Sequence, residues 1–129
     1  MVVYIAIGSA IGGVARYLLA TYVQSRFGAG FPVGTLLINV TGSFLLLLLL
    51  QLSLATPAVS AEMRALLTTG FCGGYTTFST FSYETVRLIE DGDWRRAGWY
   101  VVASVLLSIA AAFGGVVAGR SLVALARAG

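Results

Sequence analysis

Gly70-Phe71-Cys72-Gly73-Gly74-Tyr75-Thr76-Thr77-Phe78-Ser79-Thr80-Phe81-Ser82 lies inside an uncharged stretch, residues 65–83, that is long enough to enter a bilayer. Its composition does not suit a passive lipid-facing helix. Three glycines and a row of hydroxyls weaken helical continuity, and a spanning helix must satisfy its own backbone. Non-helical backbone survives at membrane depth only where protein buries it or where it lines a polar cavity. The carbonyls and amides freed at such a break are oriented dipoles in a low dielectric, well suited to holding ions. The stretch predicts a helix broken near mid-membrane that carries the function.

Outward from it, the whole chain reads as a membrane protein. It is 58% hydrophobic and 10% charged over 129 residues, where a soluble domain carries about a quarter charged residues. Apolar runs of about 20 residues mark four spans, at about 3–23, 32–54, 63–89 and 97–122. Together they predict a single all-α domain over residues 1–129. The start, Met1-Val2-Val3-Tyr4, lacks a basic leader, so the first apolar stretch is expected to stay as a membrane helix. Gly28-Ala29-Gly30, Ala55-Thr56-Pro57 and Asp91-Gly92-Asp93 read as the turns, and Ser60 as a helix cap. Trp94, Trp99 and Tyr100 are expected at an interfacial aromatic belt.

Several function classes are excluded or disfavoured by composition. Histidine is absent, the one cysteine is Cys72, and no carboxylates pair at depth, so an enzyme is not expected. Lysine is also absent, which rules out a Walker-type phosphate loop in this chain. A net charge of +3, dispersed along the chain, does not suggest nucleic-acid binding. With four spans both termini share a side. Arg64, Arg120 and Arg127 then flank one face and Arg26, Arg87, Arg95 and Arg96 the other, a near balance that hints at insertion both ways round. Small-residue pairs at Gly8/Gly12, Gly70/Gly74 and Gly115/Gly119 permit close helix contact. Each fits packing within a subunit, and together they favour an oligomer, most simply a dimer.

The polar residues at depth each admit two readings. Asn39, with Thr35 one turn before it, fits an interhelical hydrogen bond or a polar site shared on one face. Phe78 and Phe81 fit ordinary packing, or a wall whose positive ring edges meet a small desolvated anion beside Ser79 and Thr80. Ser104 and Ser108 fit back-bonding to the preceding turn, or a hydroxyl stripe. Glu84 and Arg87 fit an ion pair or a vestibule, Arg16 fits snorkelling, and for Tyr75 packing and function both stay open.

Taken together, these motifs resemble the small fluoride channels of the Fluc (CrcB-type) family. The resemblance is carried by Gly12-Gly13-Val14-Ala15-Arg16-Tyr17, by Pro32-Val33-Gly34-Thr35-Leu36 with Asn39 and Gly42, and above all by the stretch from Gly70 to Ser82. It implies an antiparallel, dual-topology homodimer in the inner (plasma) membrane of a prokaryote, letting fluoride leave the cytoplasm passively and so relieving its toxicity. By the match, Phe78 and Phe81 would face fluoride with their ring edges, Asn39 would be the pore carboxamide, and Ser79 and Thr80 would form a polar track. Ser104 and Ser108 would add pore hydroxyls. Main-chain carbonyls of Gly73 and Thr76 would hold a structural sodium ion on the dimer axis. A small multidrug exporter is the alternative, but such exchangers need a membrane-embedded carboxylate, and here the first span has none and Glu84 lies late in the third.

Overall fold

The computed structural model describes all residues from 1 to 129 and is built of helices and turns. In chain order these are α1 (Val2–Phe27), α2 (Val33–Ala55), α3 (Ala61–Ala65), a π-helical segment (Leu66–Cys72), α4 (Gly73–Tyr75), α5 (Phe78–Glu90) and α6 (Trp94–Ala128). Helices α1, α2 and α6 are each long and apolar enough to cross a membrane. Between α2 and α6 lies the interrupted segment from Ala61 to Glu90.

Local chemistry sets the ends. Helix α1 stops at Gly28, whose φ of +77° is left-handed backbone that glycine adopts without a Cβ penalty. Gln24 fastens the loop that follows. Its amide donates to the carbonyls of Gly28 and Phe31, and its oxygen accepts from the Gly34 N–H at 3.0 Å. Pro32 caps α2. Ser60 accepts from Met63 N–H at 3.1 Å and caps α3, as its position predicts. Gly92 turns with φ +79°, and Asp93 caps α6 by accepting from Arg96 N–H at 3.1 Å.

Helix α2 is the centre of the bundle. Ile38 on it is fully buried, while large apolar side chains of α1 and α6, such as Val2, Val14, Leu106 and Phe113, stand exposed. That outward apolar skin is what a lipid environment selects. The small-residue pairs do their work inside the chain. A Cβ at Gly8 would collide with the Leu66 carbonyl, and one at Gly12 with the Phe71 carbonyl. A Cβ at Gly74 would strike Ser9, one at Gly115 the Phe44 carbonyl, and one at Gly119 the stem of Gln51. All three pairs are therefore occupied by α1 against the interrupted segment and α6 against α2. The expectation that they favour an oligomer loses its support, because close backbone approach within the subunit already uses them. Tyr100 also departs from expectation. It is fully buried against Phe31 and Phe81, whereas Trp94 and Trp99 are exposed.

Candidate functional site

The helix opens at Thr76 and Thr77, whose φ/ψ of −83°/158° and −153°/115° are extended backbone. The glycines before them do not open it. Gly70 lies in the π-helical segment, and Gly73 and Gly74 form α4. The small size of Gly70 and Gly74 is used for contact with α1, so the break falls one step later than the glycine-rich motif suggests. Tyr75, the last helical residue, is buried and its hydroxyl meets Thr41 Oγ1 at 2.9 Å. It packs rather than facing the groove described below.

Asn39 closes the break. Its Nδ2 donates to the Thr77 carbonyl at 3.0 Å, and its Oδ1 accepts from the Thr77 N–H at 2.8 Å. One carboxamide thus satisfies both backbone groups of an extended residue at membrane depth, where leaving them bare is costly. The Thr77 hydroxyl then caps α5, accepting from the Thr80 N–H at 3.2 Å and donating to Thr80 Oγ1 at 2.9 Å. Arg16 reaches in from α1 and donates from Nε to the Gly74 carbonyl at 3.1 Å. Its guanidinium therefore caps the carboxyl end of α4.

Two carbonyls at the break are left without helical donors. In a continuous helix the Thr77 N–H would aim at the Gly73 carbonyl, but it is spent on Asn39. The Thr76 carbonyl accepts no hydrogen bond within the chain. Gly73 is exposed, and a Cβ there would meet open space. Neutral carbonyl oxygens on an open face suit a hard cation such as sodium better than a soft metal. The two residues named for the cation fit that donor chemistry.

Beside the break runs a groove of about 730 Å³, walled by α2, the interrupted segment and α6. It brings together Asn39, Gly73, Thr76, Phe78, Phe81, Ser104 and Ser108. Phe78 and Phe81 lie 5.4 Å apart, centroid to centroid, with rings tilted by 51°. Phe78 is 78% exposed while Phe81 is 9% exposed, so one ring waits at the open side and the other lines the wall. Phe81 is in turn 5.1 Å from Tyr100, which meets Phe31 edge-on at 5.5 Å. Ser104 is 7% exposed, and its Oγ finds no hydrogen-bond partner, not even the carbonyl one turn back. Ser104 is one of the groove residues, and its buried, orphaned hydroxyl is the site's clearest unmet demand.

Not every residue predicted for this site lies in it. Ser79 is exposed outside the groove, its Oγ 3.5 Å from Thr77 Oγ1. Thr80 lines a small cavity on the other side of α5, with Arg16, Thr35 and Ile38. Thr35 and Asn39 do not converge either: Thr35 shares a cavity with Glu84 and Gln24, while Asn39 turns to the break. Glu84 does not pair with Arg87. It accepts from the Tyr100 hydroxyl at 3.2 Å, and the ion pair in the chain is Arg96 with Asp93 at 3.5 Å. Gln24 is a structural participant that residue patterns did not single out, and Tyr100 is one they placed at the interface instead. A tyrosine at a helix start reads as an interfacial anchor until its neighbours are known. The groove itself offers hydroxyls, ring edges and one carboxamide, with no formal charge on its wall. Such a lining can replace the water around a small anion through numerous weak donors without trapping it.

Comparison with known proteins bears on what this groove serves. The profile of the family described as "CrcB-like protein, Camphor Resistance (CrcB)" matches residues 3–116. A protein of Geobacter metallireducens named "Fluoride-specific ion channel FluC" is 50% identical over 121 residues, covering 94% of this chain and 98% of its own length. One of the same name from Geobacter sulfurreducens is 50% identical over 118 residues, covering 92% and 95%. A third, from Agrobacterium fabrum, is 46% identical over 118 residues, covering 92% and 94%.

Proposed function

This chain belongs to the CrcB-like family, and from that premise we propose that it is a fluoride channel, passing the ion down its gradient across a prokaryotic membrane. The observation that carries the reading is the groove that the Phe78–Phe81 pair lines together with Ser104, whose buried hydroxyl has no partner. Fluoride is small and strongly hydrated. Ring edges and hydroxyls give it partial positive charge on several sides, so dehydration is offset while no single contact holds the ion.

The finer reading extends this. The interrupted segment serves as a fourth pass between α2 and α6, within a single domain of residues 1–129, and two copies assemble as an antiparallel, dual-topology homodimer. Support comes from the open side of the groove, where Phe78 and Gly73 are exposed in the single chain and a second copy would cover them. The near balance of arginines on the two faces agrees with insertion both ways round. Phe78, Phe81, Asn39, Ser104 and Ser108 then form the pore wall. Ser79 and Thr80 join the path only from the other face of α5. On a two-fold axis the carbonyls of Gly73 and Thr76, doubled, would hold one sodium ion, which when bound would neutralise those oxygens and raise the local potential for an anion.

Purified protein in liposomes tests the activity. Fluoride efflux read with a fluoride-selective electrode should be fast and chloride efflux negligible. Equal leakage of both ions, or of neither, would sink the channel reading. Crosslinking between termini on opposite membrane faces tests the antiparallel dimer separately.

A further inference from the structure

A second cavity, of about 400 Å³, shares no residue with the groove and lies between the carboxyl end of α2 and the last turns of α6. Gly115 packs on Phe44 and Gly119 on Gln51, so the two helices run in the same direction, and α2 ends beside the last turns of α6. The cavity is lined by Gln51 and Leu54 of α2 and by Arg120, Val123 and Arg127 of α6. Arg120 and Arg127 are seven residues apart, hence on one face of α6 two turns apart. Some arginines near other helix ends are held, Arg64 by Ser53 and Arg96 by Gly30 and Asp93, while Arg87 and Arg95 stand free as Arg120 and Arg127 do. Arg120 and Arg127 make no such bond within the chain, and neither does the carboxamide of Gln51. Gly119 leaves space for that side chain, since a Cβ there would sit 3.0 Å from Gln51 Cγ.

Depth identifies the ligand class. Residues 97–119 of α6 carry no charge, a length of about 35 Å at 1.5 Å per residue, against roughly 30 Å of hydrocarbon. Arg96 and Arg120 therefore bracket the membrane, and the cavity opens at headgroup level. Cations at helix carboxyl ends also complement the macrodipole, which accounts for Arg127 in the last turn. It does not account for Arg120, two turns earlier, or for an unpartnered amide between the helices.

We propose that this cavity binds the phosphodiester headgroup of an anionic phospholipid. Two guanidinium forks match phosphate oxygens, the Gln51 amide donates to an ester oxygen, and Leu54 and Val123 face the start of an acyl chain. The assignment rests on membrane insertion and is independent of fluoride conduction.

Native mass spectrometry of the protein as it assembles, titrated with phosphatidylglycerol and separately with phosphatidylcholine of the same chains, tests it. Phosphatidylglycerol should be retained preferentially. At about fivefold per guanidinium, the R120Q/R127Q protein should retain it roughly 25-fold more weakly, with phosphatidylcholine retention and fluoride efflux unchanged. R95Q, which removes another exposed arginine of α6, should leave phosphatidylglycerol bound. Equal losses for both lipids, or the same loss in R95Q, would overturn the site. Displacement by millimolar inorganic phosphate would overturn the lipid in favour of free phosphate. Should R120Q/R127Q fail to assemble, R120K/R127K keeps the charge but not the fork, and its retention should fall several-fold. Undiminished retention there overturns the proposal as well.

Discussion

Ser104 is the residue at which stability and transport should part company. Its side chain is buried, and its hydroxyl has no partner. A hydroxyl desolvated without a hydrogen bond costs about 1–3 kcal/mol, and replacing it by a methyl-sized group removes that cost while leaving a gap of one oxygen. Ser104→Ala should therefore raise stability by about 1 kcal/mol, or roughly 3–5 °C in the melting midpoint for a chain of this size. The same change deletes a donor from the groove. A hydrogen bond to an ion contributes about 1.5–3 kcal/mol, and since 1.4 kcal/mol is tenfold, fluoride efflux should slow by about tenfold or more. Ser53 supplies the contrast. It is also buried, but its hydroxyl accepts from Arg64 at 3.2 Å and lies 3.3 Å from the Leu50 carbonyl. Ser53→Ala should cost about 1–2 kcal/mol and leave efflux alone. Melting is followed by tryptophan fluorescence and efflux by electrode on the same preparations. If Ser104→Ala lowers the midpoint and efflux is unchanged, its hydroxyl has a structural partner and the reasoning fails.

Further expectations follow from the same geometry. Asn39→Ala removes both bonds to Thr77 and should lower the melting stability by about 2–3 kcal/mol, given about 1 kcal/mol per bond plus bare backbone. A midpoint equal to wild type would show that the break holds itself open. Phe81→Ala should cost about 3–5 kcal/mol because the ring is buried, whereas Phe78→Ala should leave the isolated subunit's fold intact and slow fluoride efflux strongly; undiminished flux in the latter refutes its place in the path. Gly12→Ala forces a methyl into the Phe71 carbonyl and should destabilise by about 1–3 kcal/mol, read as a lower melting midpoint. A neutral result would mean that α1 can move away from the interrupted segment.

Much of this architecture was legible in residue order, and what was not has identifiable physical causes. Apolar runs and caps locate α1, α2 and α6 because a bilayer-length helix needs little beyond its own composition. Glycine is different. At Gly70 and Gly74 the residue type signals either a flexible backbone or a close contact, and only the position of Ile5, Gly8 and Ser9 on α1 decides for contact, whereas Gly73 faces open space. The break itself depends on Asn39, 38 residues away in the chain, a separation at which local propensity is silent. The track of hydroxyls splits for a simpler reason. Three-residue spacing puts Phe78 and Phe81 on one face of α5, and the same helical spacing turns Ser79 and Thr80 out of the groove that Thr76 and Thr77 line.

The hydrogen bonds at the break separate unspent acceptors on the interrupted segment from an unspent hydroxyl on α6. Thr76 N–H goes to the Cys72 carbonyl, Thr77 N–H and C=O go to Asn39, and the Gly74 carbonyl receives Arg16. What these pairings leave unspent at Gly73 and Thr76 is acceptor capacity alone, which a cation satisfies. What is left unspent across the groove, at Ser104, includes a hydroxyl proton, which an anion satisfies. Donor and acceptor stay apart because Asn39 is committed to the backbone and cannot bridge them. An Asn39→Asp protein would still accept from Thr77 N–H but would set a carboxylate against the Thr77 carbonyl. Its negative charge at the groove wall should depress fluoride efflux beyond the loss in Asn39→Ala, although it keeps one more hydrogen bond. Efflux in Asn39→Asp equal to or faster than in Asn39→Ala would mean that the carboxamide acts on the backbone alone and not on the ion's path.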